Sequence, residues 1–173
     1  MLKLLRNAFA SSLEFETEDG RKIKWKYCEA LNELQEKEGL RLGNRLKMAH
    51  IQWRKQKMKV HLAAQLFSSS VADAMEFCEQ GLKLEEFQGC AATVQFVRTV
   101  DAAFDVLISR NPLGKGPKAP IKPTTKDRVE TILKQADTLL RGLKVQQYNK
   151  MVASVTSHLA LPARDNMEDS PNV

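Results

Sequence analysis

Between Glu38 and Asp73 the chain carries no carboxylate, while seven bases lie there: Arg41, Arg45, Lys47, Arg54, Lys55, Lys57 and Lys59. His50 and Trp53 interleave with them, and three serines follow at 68–70. Bases followed by hydroxyls are the donors that an anion such as a phosphate needs. The same bases would equally make a solvated face. On an unbroken helix Lys57 and Ser68 would share one side, about 16 Å apart. They would then meet opposite ends of a nucleotide and never one phosphate.

A second basic stretch, "SRNPLGKGPKAPIKPTTKD" at 109–127, contains Gly-Lys-Gly. It fails as a phosphate-cradling loop of the Gly-x-x-x-x-Gly-Lys-Ser/Thr type, which requires a strand before it and a helix starting at the lysine. Here a helical pattern precedes it and Pro117 follows, and prolines remove the N–H groups of an anion nest. It reads as a basic connection between helices, with Lys115, Lys118 and Lys122 as point charges. No serine has a histidine at useful spacing for nucleophilic catalysis. Asp73, Asp101 and Asp105 are the carboxylates available for two-metal chemistry, but their spacing does not select them. Asp101 and Asp105, four apart, equally read as an exposed pair. Cys28, Cys78 and Cys90, like His50, His61 and His158, are scattered, without the clustering of a metal site. The odd, sparse cysteines read as reduced thiols of the cytosol or nucleus.

The elements that must position these groups are mostly helical. Leu2, Leu5 and Phe9 predict a helix over 1–12. In "LEFETEDGRKIKW" two alternating runs flank Asp-Gly, the pattern of a β-hairpin with glutamates facing lysines. Helices are predicted over 26–37, 43–50, 54–79, 90–109 and 126–141. Gly39, Gly81 and Gly142 act as stops, and Thr124 or Thr125 as the last cap. The serines lower helix propensity within 54–79, so a break there is foreseen. The polar end, with "ARDNMEDSPNV", predicts a disordered tail. In the whole chain of 173 residues, 43% are hydrophobic and 28% charged, with a net charge of +6. That is the make-up of an ordinary soluble globular protein, one domain or one piece of a larger protein, and the charge favours an anionic partner while being also common in proteins without one. No run of about 20 apolar residues predicts a membrane span.

Taken together, "LKLLRNAF", "DGRKIKWKY", "GLRLGNRLKMAHIQWRKQKMKVHLAAQLFSSSVADAMEF", "EFQGCAATVQFVRTVDAAFDVLISRNPLGKG" and "KPTT" resemble the P-element-type transposases, including the animal THAP-domain transposases. The resemblance runs over about residues 1–145, and "KMKVHLAAQLFSSSVADA" is its most specific part. It implies a mainly α fold: a helical GTP-binding insertion domain with an N-terminal β-hairpin left from an RNase H-like catalytic domain. On that basis residues 1–26 belong to the catalytic domain, 27–142 to the insertion domain, and 143–173 to a divergent tail. The implied ligand is GTP, with Mg2+ as an optional companion. In the family the nucleotide organises the synaptic complex with DNA ends. By resemblance Lys59 and Ser68 contact the nucleotide, Val60 adds its backbone, and Asp105 and Asn111 contact base or sugar.

The family's Asp-x-x-His element before the Leu-Lys-x-x-Arg-Asn match, its final catalytic acid and its zinc-dependent DNA-binding domain find no counterpart. The resemblance therefore implies a truncated or domesticated fragment, not an enzyme by itself, in nucleus or cytoplasm. Its expected partners are GTP and, through the basic surface, DNA or an intact transposase. The alternative is a basic DNA- or protein-binding scaffold without a nucleotide. A nonfunctional fragment would instead leave Leu2, Leu5, Phe9, Phe15 and Trp25 exposed.

Overall fold

The computed structural model describes residues 1–109, 113, 115 and 118–145. The fold is mainly helical, with one small antiparallel sheet. Helix α1 (Leu2–Ser12) buries Leu2, Phe9 and Ala10 along one face, as its apolar spacing demands. It ends at Leu13, whose φ of 63° turns the chain into the hairpin, so Leu13 caps the helix and does not alternate with the strand. Strands β1 (Glu14–Glu16) and β2 (Lys22–Lys24) pair with Phe15 opposite Ile23. Both of those side chains are buried, while Lys22 ion-pairs with Glu14 at 3.2 Å and with Glu16. The three-residue turn 18–20 works because Gly20 takes φ 82°, and the Thr17 N–H donates to Arg21 O at 2.9 Å.

Helix α2 (Lys26–Glu38) buries Tyr27, Cys28 and Leu31. The predicted helix over 43–50 is shorter and later: α3 covers Met48–Ile51. The predicted run 54–79 is four pieces. A 3-10 turn (Trp53–Gln56) is followed by α4 (Val60–Leu66), α5 (Ser69–Glu76) and a π-helical turn (Phe77–Gly81). Helix α6 (Ala91–Ile108) is the central element. Helix α7 (Lys126–Arg141) lays Val129 and Ala136 inward and ends at Gly142. A Cβ at Gly142 would stand 3.3 Å from Glu18 Cβ, so the end of α7 packs closely against the hairpin turn.

The chain then forms β3 (Lys144–Val145), which pairs with β1 and gives the sheet order β2-β1-β3. The foreseen tail thus begins with an ordered strand, and its remainder, 146–173, lies outside the described residues. Phe96 of α6 meets Phe9 at 5.4 Å, Phe15 at 6.0 Å and Phe67 at 5.8 Å between ring centroids. Those contacts join α1, the hairpin and the chain entering α5 in one core. Leu2, Phe9, Phe15 and Trp25 are buried in it and Leu5 packs against it, so the exposure expected of a nonfunctional fragment is not seen. Among the described residues no helix is long and apolar enough to cross a membrane.

Candidate functional site

The serine segment owes its shape to a local competition. The Ser68 hydroxyl donates to Gln65 O at 2.8 Å, which offers that carbonyl an alternative to a helical N–H. Helix α4 stops there, and Ser68 takes an extended backbone with ψ 148° at the start of α5. The orphan donors of α5 are then met from another helix. Asp101 Oδ2 on α6 accepts the Ser69 N–H at 2.9 Å and the Ser69 hydroxyl at 2.5 Å. The Ser68 and Ser70 hydroxyls lie 2.9 Å apart, within hydrogen-bond reach.

One helical turn beyond Asp101 stands Asp105, its side chain 17% exposed. Lys118, returning from the proline-rich connection, brings Nζ to 3.5 Å from the Asp105 carboxylate. The Ser109 hydroxyl donates to Lys118 O at 2.6 Å and holds that return. Burial pushes the Asp105 carboxyl above the ordinary range, and the Asp101 charge adds to this while Lys118 opposes it. Opposite lies the connection 39–47. Buried Asn44 donates to Gln35 Oε1 at 2.8 Å and accepts the Leu46 N–H at 2.9 Å, and this anchors Gly43 and Arg45 beside the serines.

These groups line a cavity of about 350 Å3, walled by Gly43, Arg45, Ala64, Gln65, Ser68, Ser70, Asp101, Phe104, Asp105, Ile108 and Lys118. Its size suits a small ligand, and two cations, two hydroxyls and two carboxylates converge on it. A larger cleft of about 750 Å3 lies between the hairpin turn, α6 and α7. Its Arg21 is already bound to Asp19 at 2.7 Å and to Gln95 at 2.8 Å, so that guanidinium is less available to an anion.

Of the residues singled out from sequence, Ser68 and Asp105 share the 350 Å3 cavity. Lys59 and Val60 do not line it. Lys59 precedes α4 with an exposed side chain. Val60, 45% exposed, borders a separate apolar cavity on the other side of Phe104. The seven residues of α4 put those two positions about 10 Å from the serine end. Asn111 lies outside the described residues. Sequence reasoning named Arg45 and Lys118 as bases that could meet an anion but did not single them out, because each looked like one base among many. Asp101, read as half of an exposed pair, instead caps α5, and nothing within its own helix signals that.

A small helical module with a polar, cation-rimmed cavity is the class that fold and site define. The family model for the TNP-like, GTP-binding insertion domain matches residues 1–120, and the chain belongs to that family. It is 34% identical over 152 residues to the DNA transposase THAP9 of Homo sapiens, covering 88% of this chain and 16% of that protein. Its fold matches a chain of the Drosophila P element transposase strand transfer complex with a TM-score of 0.68 and 24% identity, over 81% of this chain and 31% of that one. The chain therefore spans well under half the length of either relative.

Proposed function

We propose that this chain binds GTP in the Ser68–Asp105 cavity without turning it over, and acts beside DNA as a module of a transposase-type assembly in the nucleus. The observation that carries the reading is the cavity itself, with Arg45, Lys118, Ser68 and Asp105 on one wall system. The matching family is described as GTP-binding and the human relative is called a DNA transposase, which supports the ligand and the setting. A carboxylate can accept the N1–H and the 2-amino group of guanine together, whereas adenine presents an acceptor at N1. Asp105 is thus assigned to base or sugar, and Arg45, Lys118 and the Ser68 hydroxyl to anionic oxygens. Lys59, one length of α4 away, is the distal contact that meets the far end of the triphosphate, with Val60 beside it.

Both carboxylates of the cavity are engaged, Asp101 by the Ser69 N–H and hydroxyl and Asp105 by Lys118, which supports binding without turnover. The nearest histidine, His50, is buried with both ring nitrogens in hydrogen bonds. Among the described residues no group of three or more metal-type ligands occurs, so Mg2+ would enter with the phosphates. The test is calorimetric titration of the folded chain with GTP and ATP. GTP should bind and ATP should bind more weakly. Lys59→Ala should weaken GTP by about 1.5–3 kcal/mol, the size of a charge-assisted hydrogen bond, and leave the preference over ATP intact. Asp105→Asn should lose the preference. A folded chain that gives no heat with GTP would sink the reading.

A further inference from the structure

We propose that the turn at 53–59, with the first turn of α1, is a docking surface for the phosphate backbone of duplex DNA. This rests on the part of the preceding reading that sets the chain beside DNA, and it shares Lys59, but no residue lining the cavity, with the nucleotide reading.

The surface is built of cations without counterions. Arg54, Lys55, Lys57 and Lys59 are exposed, and Lys3 of α1 joins them with Nζ 3.7 Å from Met58 Sδ. Neither α1 nor the segment 39–72 contains a carboxylate. Among the described residues none of these five cations has an ion pair within 4.0 Å.

The turn is also held in place from beneath. Arg6 is wholly buried, and among the described residues it has no carboxylate partner and its Nη1 no hydrogen-bond partner, so its burial costs stability that only Nε and Nη2 offset. Its Nη2 donates to Gln56 O at 2.9 Å and to Lys57 O at 3.2 Å, and Asn7 Nδ2 donates to Lys57 O at 3.3 Å. Trp53, 9% exposed, lies under Arg54 and Lys57, whose charges sit 4.9 and 5.8 Å from its ring centroid. The cations thus stand on a fixed scaffold whose own buried group adds positive charge.

The chemistry selects the partner. Single strands are gripped by exposed aromatic platforms, and here the one aromatic ring is buried under two cations. Protein interfaces have an apolar centre depleted of charge, whereas here five cations are interspersed with the exposed apolar side chains Leu4, Met58 and Val60. A cluster of five cations on a turn held from beneath, with its one aromatic ring covered, fits a regular row of phosphates.

The test is fluorescence anisotropy of a labelled duplex of mixed sequence with the full chain across a salt series. Five phosphate contacts give a log–log salt slope of about −4.5, an affinity loss of about 500-fold between about 50 and 200 mM salt. The double variant Lys55→Ala/Lys57→Ala should reduce the slope by about two and leave GTP titration unchanged. Wild-type slope in that variant would overturn the proposed surface and leave the DNA setting standing. Absence of duplex binding at low salt would overturn both. Tighter binding of the corresponding single strand, or of anionic vesicles, would overturn the duplex as occupant.

Discussion

At the scale of the residue, His50 shows how a group outside the cavity governs it. Its Nδ1 accepts the Lys47 N–H at 3.0 Å, so Nε2 carries the proton and donates to Gln65 Oε1 at 3.0 Å. Gln65 in turn lines the cavity. Burial lowers the His50 pKa below its ordinary value, and nearby Arg6 and His61 push the same way, against the Gln65 and Lys47 hydrogen bonds. The fold therefore holds the neutral imidazole. Its contribution to stability is complete above the unfolded pKa of about 6.5 and is lost as pH falls below that value through the folded pKa. Urea midpoints should thus drop between about pH 7 and 5, and His50→Asn should flatten that portion of the profile. An equally steep profile in the variant would assign the acid sensitivity to another group.

At the scale of the element, the helices legible in the sequence are those whose signals are local. Helices α1, α2, α6 and α7 follow their apolar spacing, and the hairpin follows Asp-Gly between alternating runs. Within the run 54–79 the break at the serines was legible, whereas the 3-10 turn at Trp53–Gln56 and the π-helical turn at Phe77–Gly81 were not, because the apolar stripe continues through them. What ends α4 is local, the Ser68 hydroxyl on Gln65 O, but what starts α5 and holds the preceding turn is long-range: Asp101 caps Ser69 from 32 residues away, and Arg6 pins the 53–59 turn from 50 residues away. The two-residue β3 exists only because β1 offers it an edge, so no pattern within 143–145 announces it. The cavity was half legible for the same reason. Ser68 and Asp105 came from motif likeness, whereas Arg45, Asp101 and Lys118 reach the cavity by tertiary packing. The cap gives a direct test. Asp101→Ala leaves the first turn of α5 without its acceptor and should cost about 1–2 kcal/mol in urea unfolding, as loss of a helix cap does. A loss within about 0.3 kcal/mol would mean that water satisfies those donors equally well.

At the scale of the whole molecule, the question is whether residues 1–26 are an appendage or part of the core. The family match runs from residue 1 through residue 120 without regard to that division. Phe96 is where the two parts meet. Its ring touches Phe9 of α1, Phe15 of β1 and Phe67 before α5, and it is wholly buried. Removing it leaves a cavity at the one point where all three meet, so Phe96→Ala should cost about 3–5 kcal/mol. Shared packing also makes the loss common to both parts. Trp25 lies in the N-terminal part and Trp53 in the helical part, so each reports one of them. With Trp53→Phe and Trp25→Phe isolating the two signals, fluorescence should give one urea midpoint in the parent chain, coincident with circular dichroism. Phe96→Ala should move both midpoints together. If the Trp25 signal shifted and the Trp53 signal stayed, the hairpin and α1 would be a separate unit, and the aromatic cluster would be its contact and not its core.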